Sequence, residues 1–141
     1  MNPYTQLMVE VEALSRRYVA AMATEGLMGD AALIVLRLSY RTMRVGDLRT
    51  SGIYTGSNVS YNLDKLAQRG LIQRDPSEDD MRVVLVSLTE RGRELADRLR
   101  MREAFLLPRD LSPDRGYGDL LTQAATAVRR LTRAVERGET R

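Results

Sequence analysis

The stretch Gly70-Leu71-Ile72-Gln73-Arg74-Asp75-Pro76-Ser77-Glu78-Asp79-Asp80-Met81-Arg82-Val83-Val84-Leu85-Val86-Ser87-Leu88-Thr89 decides the fold, because here the hydrophobic spacing leaves the helical period of about 3.6 for a period of about 2. Residues 71–74 read as a short strand and 82–88 as a longer, β-branched one. The polar residues 75–81, with a proline near their start, join the two into a hairpin. A far shorter turn would pair the strands, so this connector projects and returns directly into Arg82. Thr89 is then placed to cap a helix over 90–102 that carries Leu95 and Leu99 inward.

On the N-terminal side of the hairpin, Gly70 fits the left-handed position that closes a helix over 56–69, with Thr55 as its N-cap. At about 100° per residue, Val59, Leu63 and Leu66 gather on one face and must meet the core. Ser57, Tyr61, Asp64, Lys65 and Gln68 fall opposite, with Asn58 and Ser60 on the flanks. Before this helix stand a short helix over 45–49, a turn at Ser51-Gly52 and a second turn ending at Thr55-Gly56. Residues 31–38, apolar on most sides, make a buried helix for which Asp30 is the expected N-cap. The first helix runs over 4–24, placing Tyr4, Leu7, Met8, Val11, Leu14, Tyr18 and Met22 on one face until Gly26 and Gly29 break it. Towards the other end, 105–118 holds two Pro and two Gly and reads as a connection, within which Ser112-Pro113-Asp114 suits the opening of a helical turn. A last helix over 119–137 aligns Leu120, Ala124, Ala127, Leu131 and Val135 and stops at Gly138.

The chain has 141 residues, 43% of them apolar and 29% charged, which is one globular domain's worth of ordinary composition. It contains neither His nor Cys, so thiol and imidazole catalysis, disulfides, imidazole metal ligands and haem ligation by either residue are excluded. No catalytic constellation of Asp, Glu, Tyr or Lys stands out, and an enzyme is not expected. No cofactor and no metal are implied. The longest uninterrupted apolar run is Ala31 to Leu36, and the first residues show neither a basic nor an apolar signal segment. The expectation is a cytoplasmic protein without a membrane partner. The formal charge is +3, and Lys65 is the single lysine among 22 basic residues.

Helix, helix, turn, helix, hairpin over residues 30–88 is the order of a winged helix-turn-helix, whose second helix enters the DNA major groove. Small hydroxyl and amide side chains near a helix start suit the reading of base edges, and free N–H groups of the first turn suit a phosphate. The same polar face also fits a merely solvated helix. Arg82 suits insertion into the minor groove, yet Asp75, Glu78, Asp79 and Asp80 make a surface ion pair an equal reading.

Three strings carry a family resemblance. Asp75-Pro-Ser-Glu-Asp-Asp80-Met-Arg82 followed by Val-Val-Leu-Val-Ser-Leu88-Thr89-Glu-Arg-Gly92, Val45-Gly-Asp47-Leu48, and Ser57-Asn58-Val59-Ser60 with Leu63-x-x-Leu66-x-x-x-Gly70-Leu71-Ile72-x-Arg74 resemble the winged helix-turn-helix of the MarR family of bacterial transcription regulators. The likeness covers residues 30–100. It implies a mainly α fold with a small β-hairpin wing, in which 30–100 form the DNA-binding lobe and helices in 1–25 and 101–138 form a dimerisation region of a single domain. It implies that Ser57, Asn58, Ser60 and Tyr61 face bases or phosphates with Lys65 nearby, and that Arg82 is the minor-groove arginine oriented by Asp80. It further implies a homodimer closed by Tyr4, Leu7, Met8, Val11, Leu131 and Val135; packing of the two terminal helices on each other within one chain is the alternative. The family often senses small molecules, and Tyr18, Met22, Leu33 and Arg37 would line such an effector's cleft, although Met and Leu at helical spacing equally make plain core. The expected function is a homodimeric repressor on double-stranded DNA at a near-palindromic site, with a winged-helix protein-interaction module as the alternative. Gly92, in the first turn of a helix, has no explanation in the sequence.

Overall fold

The computed structural model describes residues 1–24, 26–51, 58–106 and 117–138. The chain divides into two compact units, Met1–Leu106 and Leu107–Arg141. The first contains α1 (Pro3–Ala21), α2 (Gly29–Leu38), β1 (Met43–Arg44), α3 (Val45–Ser51), α4 (Asn58–Gln68), β2 (Ile72–Pro76), β3 (Val84–Leu88) and α5 (Glu90–Ala104). The described part of the second is α6 (Tyr117–Gly138).

Asn2, not singled out from sequence, starts α1 by accepting from the Tyr4 N–H at 2.8 Å, with Pro3 at the first helical position. The helix ends at Ala21, before the expected Thr24, and Thr24 instead bridges to Leu27 around Gly26, whose φ is +73°. Gly29 begins α2 one residue ahead of the expected cap. A Cβ on Gly29 would stand 1.7 Å from the Val19 carbonyl oxygen, so the crossing of α1 over α2 requires glycine. Asp30 therefore lies inside the first turn of α2, where its Oδ1 accepts from the Ala31 N–H at 2.9 Å.

The core is assembled around α2, whose Ala31, Ala32, Val35 and Leu36 are buried with Met22, Leu48, Leu63, Leu66, Val86 and Leu99. Val59, Leu63 and Leu66 of α4 enter it as their spacing predicts. The hairpin forms with register Ile72↔Leu88 through Pro76↔Val84. Asp75 and Pro76, expected in the loop, continue β2, while Arg82 and Val83 lie outside β3, so the connector is residues 77–83. It is closed by the Ser77 N–H donating to Val83 O at 2.8 Å and the Val83 N–H donating to Asp80 O at 2.9 Å. A third strand, β1, pairs Met43 with Val86 and gives the antiparallel order β1-β3-β2.

Thr89 caps α5 as expected, accepting from the Gly92 N–H at 3.1 Å, and also donates its hydroxyl to Gly70 O at 2.6 Å. Gly92 now has its reason: a Cβ there would stand 2.0 Å from the Leu71 carbonyl oxygen, so only glycine lets α5 start against the end of α4. Residues 101–104 complete α5. In the second unit α6 starts at Tyr117, which puts Gly118 inside the helix rather than in the connection. The expected Thr55 cap, the helix start at Gly56, the turn at Gly52 and the helical turn at Ser112-Pro113-Asp114 lie outside the described residues. No described helix is long and apolar enough to cross a membrane.

Candidate nucleic-acid interface

With one face of α4 committed to the core, the other faces solvent. Asn58, Ser60 and Tyr61 are exposed and Lys65 is half-exposed, so the four described residues of the expected reading face share an accessible surface; Ser57 lies outside the described residues. Tyr61 is 64% exposed, unusually bare for an aromatic ring. Asn62, between them in sequence, is buried and donates Nδ2 to Asp30 Oδ2 at 3.0 Å, fixing α4 on the start of α2.

The wing carries its arginine at the loop. Asp80 Oδ1 accepts from the Arg82 backbone N–H at 3.0 Å and from its Nε at 3.3 Å, so the expected orienting contact exists, while the Arg82 side chain remains 92% exposed. The Asp80 pairing uses Nε and leaves the guanidinium's terminal N–H donors directed outward. Arg74 is held elsewhere, donating to Asp64 on α4 at 2.6 Å rather than to the loop acids. Exposed pairs of this kind contribute about 0–1 kcal/mol, so both arginines are easily recruited by a stronger anion.

Between α3, α4 and the wing lies an open groove of about 940 Å³ lined by Arg44, Arg49, Arg74 and Arg82 together with Ser60 and Asp64. Arg49 of α3 donates to the Ser60 hydroxyl at 2.8 Å. Arg44 and Arg49 were not singled out from sequence; their placement just before and within α3, the helix preceding α4, was the available signal. The groove thus sets a polar helix face beside a wall of guanidinium groups, the combination that holds phosphates while base edges are read.

The residues expected to line an effector cleft separate. Met22 is fully buried and packs in the core. Tyr18 is half-buried, donates its hydroxyl to Glu103 Oε1 at 2.9 Å and has its ionisation pushed upward, first by burial and then by that carboxylate. Leu33 and Arg37 are half-buried on α2, and burial followed by the neighbouring Arg41 lowers the Arg37 pKa. Of the expected dimerisation residues, Tyr4 and Met8 on α1 are exposed and Leu7 and Val11 partly so; on α6, Leu131 and Val135 are exposed. Among the described residues α1 buries none fully, and Tyr4, Met8 and Leu14 on its apolar face are exposed.

A helix with a solvent-facing polar side, set beside a hairpin that carries an exposed arginine, is the arrangement of a winged helix-turn-helix fold. Residues 27–92 match the family model described as "Winged helix DNA-binding domain". Over 104 residues, 69% of this chain and 54% of the relative, it is 33% identical to the exopolysaccharide II synthesis transcriptional activator ExpG of Rhizobium meliloti. The chain spans about half the length of the curated relatives it matches. Its fold is that of the MarR-like regulators. It superposes with a TM-score of 0.74 on the transcriptional regulator BldR from Sulfolobus solfataricus, at 22% identity over 90% of this chain and 95% of that one. It likewise superposes with a TM-score of 0.59 on a MarR-like transcription regulator from Bacillus cereus, at 14% identity over 88% and 94%.

Proposed function

We propose that this chain is a homodimeric transcription regulator that reads a near-palindromic DNA site, with α4 in the major groove and the wing at the minor groove. The observation that carries the reading is the single groove in which Arg49, bonded to Ser60, and the outward Arg82 flank the exposed face of α4. Asn58, Ser60 and Tyr61, with Ser57 ahead of them, choose the sequence; Lys65 and the arginines supply phosphate affinity through counterion release. The uncovered apolar residues of α1 and α6 close the dimer and set the two reading helices about one DNA turn apart. Regulation is by occupancy. The dimer represses where its site overlaps a promoter, whereas the ExpG relative is an activator by name. The uncovered apolar residues support a dimer as the DNA-bound state, and a small effector acting through the half-buried Tyr18 and Arg37 would bias that state.

Selection of bound fragments from genomic DNA with the purified chain, followed by fluorescence anisotropy at several salt concentrations, tests the proposal. A steep fall in affinity with salt and enrichment of a two-fold symmetric site are expected. An unenriched pool with no salt-sensitive binding overturns it in favour of a protein-interaction module, the reading favoured by the exposed acids Asp75, Glu78 and Asp79 along the wing.

A further inference from the structure

At the far end of α4 from the reading face, a hollow of about 420 Å³ opens between α5, Arg69 and the turn joining α1 to α2. Among the described residues, its polar wall is made of Arg69, Arg91, Arg98 and Arg102 with one acid, Glu94, and its floor is leucine. We propose that this hollow binds a small organic polyanion, a compact apolar body bearing two or more phosphate or carboxylate charges.

Arg91, Glu94, Arg98 and Arg102 recur at three- and four-residue steps, so one face of α5 presents them all. Arg102 donates from Nη1 to the carbonyl of Ala23, which fastens α5 to the end of α1 and leaves the rest of its fork available. Across the hollow, the Arg69 guanidinium packs on the backbone of Gly26: a Cβ there would stand 2.8 Å from Arg69 Nη1, and the turn has a positive φ that favours glycine anyway. Two elements are thus shaped to bring guanidinium groups to one place. Among the described residues Arg91 and Arg98 pair with no carboxylate within 4.0 Å, Glu94 included. The guanidinium groups that Arg91, Arg98 and Arg102 of α5 bring to a concave apolar floor repel one another until an anion enters, and planar forks match phosphate and carboxylate oxygens two at a time. An excess of positive over negative groups selects a multiply charged ligand over a monoanion. The volume lies within the usual range of small-molecule sites, about 300–1,000 Å³. Because α4 puts about 15 Å between Asn58 and Gln68, a ligand here leaves the start of the helix open, and its binding is measured without DNA.

Calorimetric titration of the full chain at low salt with inorganic pyrophosphate, and separately with citrate, tests the proposal and tells phosphate from carboxylate ligands. Saturable binding of at least one probe at one site per chain is expected. The double variant Arg91→Gln/Arg98→Gln should weaken it about tenfold or more, whereas Arg16→Gln, which removes an exposed arginine of α1 outside the hollow, should leave it within about twofold. If the double variant melts early, Arg98→Lys, which keeps the charge but not the fork, carries the same expectation of weaker binding. Absence of saturable binding by both probes overturns the site, and so does equal loss in Arg16→Gln or undiminished binding in the variants of the hollow.

Discussion

Asn62 of α4 donates its amide to the carboxylate of Asp30 on α2 at 3.0 Å, a bond between the two helices in which the asparagine is buried and the aspartate half-buried. Because Asp30 also accepts from the Ala31 N–H, its carboxylate is shared between starting α2 and holding α4. Asn62→Ala leaves that acceptor unpaired and should cost about 1–3 kcal/mol in urea unfolding. Asn62→Asp brings two carboxylates together and should cost more at pH 7 than at pH 4, where one proton can be shared between them. Equal stability of Asn62→Asp at both pH values would remove the contact from the account.

Glycine substitutions separate two situations. Gly92→Ala drives a methyl group into the Leu71 carbonyl and should destabilise by about 2 kcal/mol or more. Gly46, in α3, has nothing within 4 Å of a built Cβ, and Gly46→Ala should stabilise by about 0.5–1 kcal/mol. Thermal midpoints of the two variants should therefore move in opposite directions.

Within the DNA groove, Arg82→Ala should weaken binding to every duplex and reduce the magnitude of the salt slope by about 1. Tyr61→Ala and Ser60→Ala should instead change which site is preferred, since their atoms stand on the exposed face of α4. Arg49→Ala frees the Ser60 hydroxyl and should do both, lowering affinity and relaxing the preference. Anisotropy against the selected site and a scrambled one distinguishes the three patterns.

Tyr18 supplies a pH signature. Its folded-state ionisation lies above the ordinary value of 10.0, so the native state holds a proton that the unfolded chain loses first. Its contribution to stability is complete below about pH 10 and declines as pH rises further. Tyr18→Phe should cost about 1 kcal/mol at pH 7 through the lost bond to Glu103 and should flatten the alkaline decline between pH 10 and 11 in denaturant melts.

For the dimer, Leu131→Glu or Met8→Glu puts a charge on an uncovered apolar face. Either should raise the dimer dissociation constant by about a hundredfold or more, read by light scattering across a dilution series. Unchanged mass in both variants removes these residues from the interface.

Most of this architecture was legible because its elements are amphipathic. The inward trio Val59, Leu63 and Leu66 and the hairpin both follow from spacing alone. What escaped was non-local. Two residues, Met43 and Arg44, have no period to detect and are a strand only because β3 offers them an edge. Asp30 looked like a cap because the reason for Gly29 is the Val19 carbonyl on another helix, and Gly92 looked unfavourable because Leu71 is distant in sequence. In the site, the polar face and the Asp80–Arg82 pair were readable from sequence. The contact of Arg49 with Ser60 was not, since it joins two helices whose connection carries no periodic signal.

The order β1-β3-β2 leaves the sheet two outer borders, one only two residues long and the other ending at Pro76, which has no N–H to offer. A stray extended segment therefore finds little ladder to extend, and the wing can protrude into solvent without seeding fibrils between molecules.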